Sequence, residues 1–337
     1  MIQLPIRLRR NRRSPAIRSL VQETELNAKD LIAPFFVVEG EHTIQPVSSM
    51  PGVYRFSIDP MLEKIGEYAS RGVQAVALFP RIDHNLRSGE GEEAWNKAGL
   101  IPRAIRAIKK RYPSICVISD IALDPYTSHG HDGILNKKQE IVNDATVERL
   151  VQMALVHAEA GADFVSPSDM MDGRVKAIRE ALDKNQFEYT GILAYSAKYA
   201  SALYGPFRKA LEVYLLFGDK KTYQMDPANV REALREALLD EEEGADIVMV
   251  KPALFYLDVI AKLREKTDLP IAAYHVSGEY SMVMAAHNAG YLEAEKVFYE
   301  ALLSIKRAGA DIIFTYAIEK VLDQISGPRT SDFLLNP

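Results

Sequence analysis

The stretch Glu243-Gly-Ala-Asp-Ile-Val-Met-Val-Lys-Pro252 decides the fold, because it joins a helix end, a turn and a strand. Gly244 can adopt the left-handed conformation that ends a helix. The four apolar residues that follow predict a short strand buried on both faces. Lys251 ends this strand, and a lysine is almost never fully buried without a reason. It could also extend its ammonium to solvent, so Lys251 alone does not decide between a reactive and an ordinary lysine.

The same turn recurs in the chain at Arg71-Gly72-Val73, Ala160-Gly161-Ala162-Asp163 and Ala308-Gly309-Ala310-Asp311. Eight apolar segments predict strands: Ile32–Val38, Ala75–Phe79, Ile115–Ser119, Phe164–Val165, Ile192–Tyr195, Ile247–Val250, Ile271–His275 and Ile312–Thr315. Amphipathic segments predict helices between them, among others Pro102–Arg111, Asp144–Ala160, Met170–Asp183, Pro227–Glu243, Leu257–Lys266 and Glu293–Arg307. Repeated β/α units favour an α/β fold, a single (β/α)8 TIM barrel over residues 31–337. A doubly wound sheet is the alternative, but no glycine-rich loop follows the first strand.

The composition of the 337 residues is that of an ordinary globular protein, with 47% hydrophobic and 26% charged residues. A net charge of −5 gives no basic field for nucleic acid or an anionic membrane. No apolar run approaches the roughly 20 residues that span a bilayer, and no signal peptide is recognisable. The single cysteine, Cys116, excludes a disulfide framework and a cysteine-rich zinc site. We therefore expect a cytoplasmic protein without nucleic-acid or membrane partners.

Residues 1–30 differ from the barrel and predict an N-terminal arm. Apolar residues alternate with other positions at Ile2, Leu4, Ile6 and Leu8, as in a segment that docks on a neighbouring subunit. A frayed terminus is the alternative. An RNA-binding tail is the third interpretation, and it ranks last because no aromatic residue lies among the five arginines of residues 7–13.

In a (β/α)8 barrel the chemistry lies after the carboxyl ends of the strands. Lys251 ends the sixth predicted strand and Lys198 stands just past the fifth, so both amines should reach the same mouth. Two adjacent ammoniums lower each other's pKa and favour a neutral amine that can attack a carbonyl. The pair predicts Schiff bases with two carbonyl substrates.

Other polar residues follow the remaining strands. The loop after the third strand carries Asp120, Asp124, His129, His131 and Asp132, which suit a polar turn, a hard cation or acid/base chemistry equally well. After the fourth strand, Ser168 can reach the mouth, whereas Asp169 and Asp172 are predicted to cap the next helix. Residues 205–226 predict a lid whose Arg208, Lys220 and Lys221 would attract a carboxylate. Ser277 lies beside a predicted helix start, and Tyr316 follows the eighth strand.

Seven motifs together resemble the porphobilinogen synthase family, also called 5-aminolevulinate dehydratase, over nearly the whole chain up to Tyr316. The motifs are Asp124-Pro-Tyr-Thr-Ser-His-Gly-His131, Pro167-Ser-Asp-Met-Met-Asp-Gly-Arg174, Ala194-Tyr-Ser-Ala-Lys-Tyr-Ala-Ser201, Tyr204-Gly-Pro-Phe-Arg208, Tyr223-Gln-Met-Asp-Pro-Ala-Asn229, Val248-Met-Val-Lys-Pro252 and Tyr274-His-Val-Ser-Gly-Glu-Tyr280.

The resemblance implies a hydro-lyase of tetrapyrrole (haem) biosynthesis that condenses two 5-aminolevulinate molecules to porphobilinogen with loss of two waters. It implies that Lys198 holds the first substrate and Lys251 the second, each as a Schiff base. It further implies three groups of supporting residues: Arg208, Lys220 and Gln224 on the second carboxylate, Ser277 and Tyr316 on the first carboxylate, and Asp120 and Ser168 at the substrate amines.

The resemblance also bears on metals and assembly. Zinc-dependent relatives carry three cysteines where this chain has Ala122, Asp124 and Asp132, so no active-site zinc is expected, since oxygen ligands favour Mg²⁺. Glu236 matches the position of an allosteric, activating Mg²⁺, although an ordinary exposed helix glutamate would look the same. The family implies a homo-octamer built through the arms, with smaller assemblies as an alternative. Two rival functions remain: a class I aldolase with one imine lysine, and a non-catalytic barrel whose arm binds RNA or a protein.

Overall fold

Eight parallel strands close into a barrel in the computed structural model, which describes residues 4–325. Strands β1 and β4–β10 run in sequence order around the ring, and β10 pairs with β1 to close it. The predicted (β/α)8 fold is therefore confirmed. The strands are β1 (Leu31–Val37), β2 (Ile44–Pro46), β3 (Tyr54–Phe56), β4 (Ala75–Pro80), β5 (Cys116–Ile121), β6 (Phe164–Pro167), β7 (Gly191–Lys198), β8 (Ile247–Lys251), β9 (Ile271–His275) and β10 (Ile312–Thr315).

Helices lie outside the ring and, except for the first, bury apolar side chains. They are α1 (Pro15–Leu20), α2 (Ile58–Ser70), α3 (Leu100–Arg111), α4 (Asn143–Glu159), α5 (Arg174–Lys184), α6 (Gly205–Leu211), α7 (Arg231–Glu242), α8 (Leu257–Arg264), α9 (Ser277–Asn288), α10 (Ala294–Ala308) and α11 (Ile318–Val321). Residues 4–325 contain no helix that is both long and apolar enough to cross a membrane.

The recurring glycine turn has the predicted backbone conformation, with φ between 93° and 120° at Gly72, Gly161, Gly244 and Gly309. The aspartate that follows three of these glycines has a structural role that the pattern alone did not reveal. Its carboxylate accepts a hydrogen bond from a backbone N–H of the preceding strand. The pairs are Asp163 with Val117, Asp246 with Ile192 and Asp311 with Ile271, at 2.7, 2.7 and 2.9 Å. The turn thus fastens each new strand to its neighbour.

Two helices begin later than predicted. Helix α5 starts at Arg174 instead of Met170, because Met170 has a φ of +73° that no helix accommodates. The prediction that Asp169 and Asp172 cap α5 is wrong, since Gly173 is the cap and provides no side chain. Helix α7 starts at Arg231, after a turn at residues 226–229.

The antiparallel hairpin β2–β3 was not predicted from the sequence; it extends the sheet beyond the ring at β1. Helix α1, which lies in the predicted arm, was not predicted either. Near the start of the arm, the apolar side chains of Leu4, Ile6 and Leu8 are exposed by 49, 75 and 68%. Ile2 and residues 326–337 lie outside the described residues. Docking of the arm on another subunit, and the division at residue 30, stay predictions.

Candidate active site

Lys198 and Lys251 are the last residues of β7 and β8, and they are paired in register at the carboxyl end of the barrel. An irregularity in β7 makes this pairing possible. Ala194 lies opposite Val248, whereas Ala197 lies opposite Val250, so β7 contains one extra residue. This bulge brings Lys198 level with Lys251. Both lysines are buried, with 6 and 5% of their surface exposed.

Aromatic rings surround the ammonium of Lys251. Its Nζ lies 4.9 Å from the ring centre of Tyr195, 5.3 Å from Tyr204, 5.1 Å from Phe207 and 4.3 Å from Tyr274. Burial, reinforced by the charge of Lys198, lowers the pKa of Lys251 to about 7. At neutral pH a large fraction of Lys251 is therefore the unprotonated, nucleophilic amine.

Lys198 has polar contacts, and its Nζ also lies 5.7 Å from the ring centre of Tyr195. Its Nζ donates to the carbonyl oxygen of Ser168, and it lies 3.9 Å from Oδ1 of Asp132. Ser168 immediately follows β6, so three consecutive strands contribute to the surroundings of the two amines. The structure thus brings both predicted lysines into one buried mouth.

The lid brings a third ammonium into the mouth. Nζ of Lys220 lies 3.0 Å from Asp124 and 2.6 Å from Asp132. Burial alone would lower the pKa of Lys220, but these two carboxylates outweigh it and raise the pKa. Lys221 is exposed and lies 3.7 Å from Asp219, so Lys220 is the lid lysine that faces the barrel.

Asp120 is a buried acid on β5 near both strand-end amines. Burial raises its pKa to about 7, although the charges of Lys198 and Lys251 oppose this rise. Within residues 4–325 its Oδ1 atom has no hydrogen-bond partner. Asp120 can therefore exchange a proton near neutral pH, and it has an oxygen free to accept one from a bound molecule.

Ser277 and Tyr316 line a small cavity beside Lys251, together with Tyr204, Phe207 and Tyr274. Ser277 is the first residue of α9, and its hydroxyl accepts from the backbone of Phe207 at 3.0 Å. The phenols of Tyr316 and Tyr274 lie 2.9 Å apart. Both hydroxyls that were predicted to bind the carboxylate of the first substrate thus lie next to the amine of Lys251.

Arg208 lies on α6 at the base of the lid and is half-buried, whereas Gln224 is buried near its end. The lid ends on the barrel, because the backbone N–H of Met225 donates to the carbonyl of Lys198 at 3.0 Å. The lid is thus fixed to the end of β7, and its Lys220 lies near Lys198 through Asp132.

Three arginines that sequence reasoning missed hold the other end of the lid. Arg81 binds the carboxylate of Glu212 through Nε and Nη2 at 3.0 and 2.8 Å. Arg55 and Arg87 donate to the backbone carbonyls of Ala210 and Glu212 at 2.5 and 2.9 Å. Glu212 has a φ of +54° where α6 ends. The end of α6 was the only signal in the sequence for these contacts, because the three arginines are distant from α6 in the chain.

Glu236 lies on α7 and faces a separate cavity of about 660 Å³, shared with Asp172, Glu232 and the lid. Burial raises its pKa; Arg174 opposes this, whereas Asp240, Asp172 and Glu232 add to it. No cluster of three or more metal-binding side chains occurs within residues 4–325. A hydrated Mg²⁺ needs only one or two carboxylates and would relieve the repulsion among these acids, so Glu236 fits such an ion.

Residues 5–324 match the family described as delta-aminolevulinic acid dehydratase. The chain belongs to this family. Its relatives include the delta-aminolevulinic acid dehydratase of Chlamydia pneumoniae, 51% identical over 96% of this chain and 97% of that protein. The chloroplastic delta-aminolevulinic acid dehydratase of Physcomitrium patens is 54% identical over 93% of this chain and 72% of that protein.

A crystal structure of delta-aminolevulinic acid dehydratase (porphobilinogen synthase) from Toxoplasma gondii ME49, in complex with the reaction product porphobilinogen, superposes with a TM-score of 0.93. It is 52% identical and covers 96% of this chain and 92% of its own. These findings confirm the resemblance that the seven motifs carry. They identify the chain as a lyase of the delta-aminolevulinic acid dehydratase family, which acts in porphyrin biosynthesis.

Proposed function

We propose that the enzyme condenses two molecules of 5-aminolevulinate into porphobilinogen through Schiff bases on Lys198 and Lys251. The observation that carries the proposal is the register pairing of these two buried amines at adjacent strand ends. A single imine lysine would serve one carbonyl substrate, whereas two amines side by side can hold two ketones in position to react.

Both waters of the proposed reaction are released when the two imines form. Each lysine amine attacks a substrate ketone, and each imine forms with release of one water. Formation of one C–N and one C–C bond between the bound substrates then returns both lysines as free amines. Asp120, with a pKa near 7, is placed to accept and return protons during these steps.

Substrate carboxylates would be held at two places. Ser277 and Tyr316 line the cavity beside Lys251, so they would bind the carboxylate of the substrate held there. Lys220 contacts Asp132, which lies beside Lys198, so Lys220 with Arg208 and Gln224 would bind the carboxylate of the substrate on Lys198, the reverse of the assignment that the resemblance implied. Lys220 contacts Asp124 and Asp132. Its ammonium has three N–H donors, so one remains for a substrate carboxylate.

We further propose that Mg²⁺ activates the enzyme at Glu236 and that the active site uses no zinc. Asp124 and Asp132 are both bound by Lys220 and the pair contains no thiolate, which disfavours zinc. The test is Glu236→Gln, with Glu232→Gln as a control in the same cavity. The carboxylate of Glu232 already accepts from Asn229 at 2.7 Å. Stimulation by Mg²⁺ should vanish in the first variant and persist in the second; equal stimulation in both would contradict the assignment.

The exposed apolar side chains of the arm, Leu4, Ile6 and Leu8, support assembly into a homo-octamer through the arms, and we propose a cytoplasmic location. Analytical ultracentrifugation of the full chain and of a chain lacking residues 1–13 tests the assembly. The full chain should sediment as the octamer and the shortened chain as a smaller species. An octamer formed by the shortened chain would refute this role of the arm.

Trapping with borohydride tests the reaction itself. The enzyme is incubated with 5-aminolevulinate and sodium borohydride, digested, and its modified peptides are identified by mass spectrometry. Labels are expected on Lys198 and on Lys251, together with porphobilinogen in an untrapped sample. Labelling of neither lysine would refute the mechanism, and full activity of Lys198→Ala would indicate a single-imine reaction like that of a class I aldolase.

A further inference from the structure

Glu279 is a completely buried carboxylate with no place in the chemistry described so far. It lies on α9, two residues after Ser277. Its Oε1 atom accepts a hydrogen bond from the backbone N–H of Leu254 at 2.7 Å, and its Oε2 atom accepts one from Val276 at 2.7 Å. A buried charge is costly unless hydrogen bonds compensate it, so these two contacts keep the carboxylate in place.

The two partners of Glu279 belong to different loops of the mouth. Leu254 lies three residues beyond Lys251, and Val276 lies between β9 and Ser277. One side chain therefore joins the end of the strand that carries Lys251 to the start of the helix that carries Ser277.

The base of the lid packs on the same junction. The Tyr204 hydroxyl donates to the backbone carbonyl of Lys251 at 3.2 Å, and the Ser277 hydroxyl donates to that of Leu203 at 3.3 Å. A methyl group added at Gly278 would come within 2.4 Å of the Leu203 carbonyl oxygen. The loops joined by Glu279 thus have little freedom to shift relative to one another.

A carboxylate is needed here, and a neutral amide would not replace it. Both oxygens of Glu279 accept from backbone N–H groups, which have no other role than donation. Glutamine offers only one oxygen, so its NH₂ group would face an N–H and leave that donor unpaired. Burial raises the pKa of Glu279, whereas the backbone N–H groups of Val276, Leu254 and Ala253 lower it. Because both oxygens accept from N–H groups at 2.7 Å, the geometry is that of the anion.

We propose that Glu279 is a positioning residue that holds Lys251 and Ser277 in the relative geometry required for the reaction. This inference rests on the proposed function, because it assigns Lys251 to a substrate imine and Ser277 to a substrate carboxylate in the same cavity. Loss of the bridge lets the end of β8, beyond its last pair with β9 at Val250 and Ala273, shift relative to the start of α9. Lys251 then reacts less well, whereas Lys198, on β7, keeps its contacts.

The test compares Glu279→Gln and Glu279→Asp with Glu241→Gln. Glu241 is the matched control. Its carboxylate also accepts a part-buried hydrogen bond, from the Thr267 hydroxyl at 2.6 Å, but this contact lies before the start of β9 and not at the mouth. Each folded variant is trapped with 5-aminolevulinate and borohydride, and the labels on Lys251 and Lys198 are quantified separately.

In Glu279→Gln we expect kcat to fall about 10²-fold, as for a misplacement of reacting groups by about 1 Å. The ratio of Lys251 to Lys198 labelling should fall roughly tenfold, since only one of the two amines moves. Glu279→Asp retains the charge but cannot span both N–H groups, so it should lie between glutamine and wild type. Glu241→Gln should keep the wild-type ratio, even if its melting temperature decreases.

A wild-type labelling ratio and kcat in Glu279→Gln would overturn the positioning role. So would a parallel loss of both labels, or failure of both Glu279 variants to fold, since each indicates a purely structural residue. Absence of both labels in the wild-type enzyme would instead refute the proposed function, so the two failures are distinguishable.

Discussion

The two sides of the barrel mouth hold chemically identical amines in opposite surroundings. The acidic side consists of Asp120, Asp124 and Asp132 around Lys198 and Lys220. The aromatic side consists of Tyr204, Phe207, Tyr274 and Tyr316 around Lys251. The strand register places Lys198 and Lys251 next to each other, so the backbone does not distinguish them. Their neighbours do, and this difference explains how one fold can give two lysines different tasks.

The groups that compensate desolvation separate the two sides, since Lys198 and Lys251 are almost equally buried. Aromatic rings attract an ammonium through their π-electrons, which favours the charged form of Lys251. Burial acts in the opposite direction, and its effect is the larger one, since the pKa falls from 10.5 to about 7. The acidic side provides carboxylates instead, which stabilise ammonium groups. The aromatic side therefore favours a nucleophile, and the acidic side favours charged groups and proton transfer.

Replacing the amine on the aromatic side should have the largest effect. Lys251→Met keeps the apolar volume but removes the nucleophile, so kcat should fall on the order of 10⁴-fold or more, as expected for loss of a covalent catalyst. Porphobilinogen formation is measured by a colorimetric assay. Lys221→Met, on the exposed lid surface, is the control and should retain nearly full activity. Substantial turnover by Lys251→Met would show that the aromatic side does not hold the essential amine.

Removing the negative charge of Asp132, at the centre of the acidic side, should have the next largest effect. Asp132 contacts Lys220 and Lys198, and it accepts from the Tyr223 hydroxyl at 2.8 Å. Asp132→Asn leaves buried ammoniums undercompensated, which costs about 3–5 kcal/mol. We expect kcat/KM to fall about 10²-fold and the melting temperature to decrease, the latter measured by calorimetry.

Asp124→Asn is the comparison for this prediction, because Lys220 would still have Asp132 as a partner. Its loss of kcat/KM should be clearly smaller, about tenfold. If the two variants were equally impaired, the carboxylates would act as one unit and the central place of Asp132 would be refuted.

The sequence predicted the barrel and both lysines because these depend on local patterns. Strands, glycine turns and strand ends are properties of consecutive residues, and the barrel topology then places every strand end at one mouth. The bulge in β7 was not predictable, since it arises from pairing with β8. Nor were the ring of aromatic side chains at Lys251 and the arginines at Glu212, which come from distant segments.

The capping prediction at Asp169 and Asp172 failed for a related reason. A polar residue before a helix is an ordinary cap, and the pattern could not show that Met170 would take a positive φ. The carboxylate of Asp169 instead accepts from the backbone N–H of Met171 at 2.7 Å. Tertiary constraints of the mouth here overrode the local preference.

Admitting water to the aromatic side should shift the pH dependence of kcat/KM. The neutral amine predominates above its pKa, so kcat/KM should rise with pH and level off above about pH 7. Asp120 has a pKa of about 7 as well, so the limb reports the two groups together. Phe207→Asn hydrates Lys251 and should shift the limb upward by about one pH unit.

Phe207→Leu is the matched control, because leucine keeps the site apolar while removing the ring. Its limb should stay near that of the wild type or move slightly lower, as the attraction of the ring for the ammonium is lost. The pH profiles of kcat/KM decide the question. Absence of an upward shift in Phe207→Asn would show that the exclusion of water does not set the pKa of Lys251.

The smallest effect should follow removal of the Tyr316 hydroxyl on the aromatic side. This phenol lies 2.9 Å from Tyr274, and its ring stacks on Phe36 with the centres 5.5 Å apart. Tyr316→Phe keeps the stacking and loses one hydrogen bond to the substrate carboxylate, which contributes about 1 kcal/mol or slightly more. KM should therefore rise about fivefold while kcat stays near its wild-type value. Tyr189→Phe, at an exposed position, should change neither constant. A fall in kcat without a rise in KM would place the phenol at the reacting atoms, and the aromatic side would then contribute to proton transfer as the acidic side does.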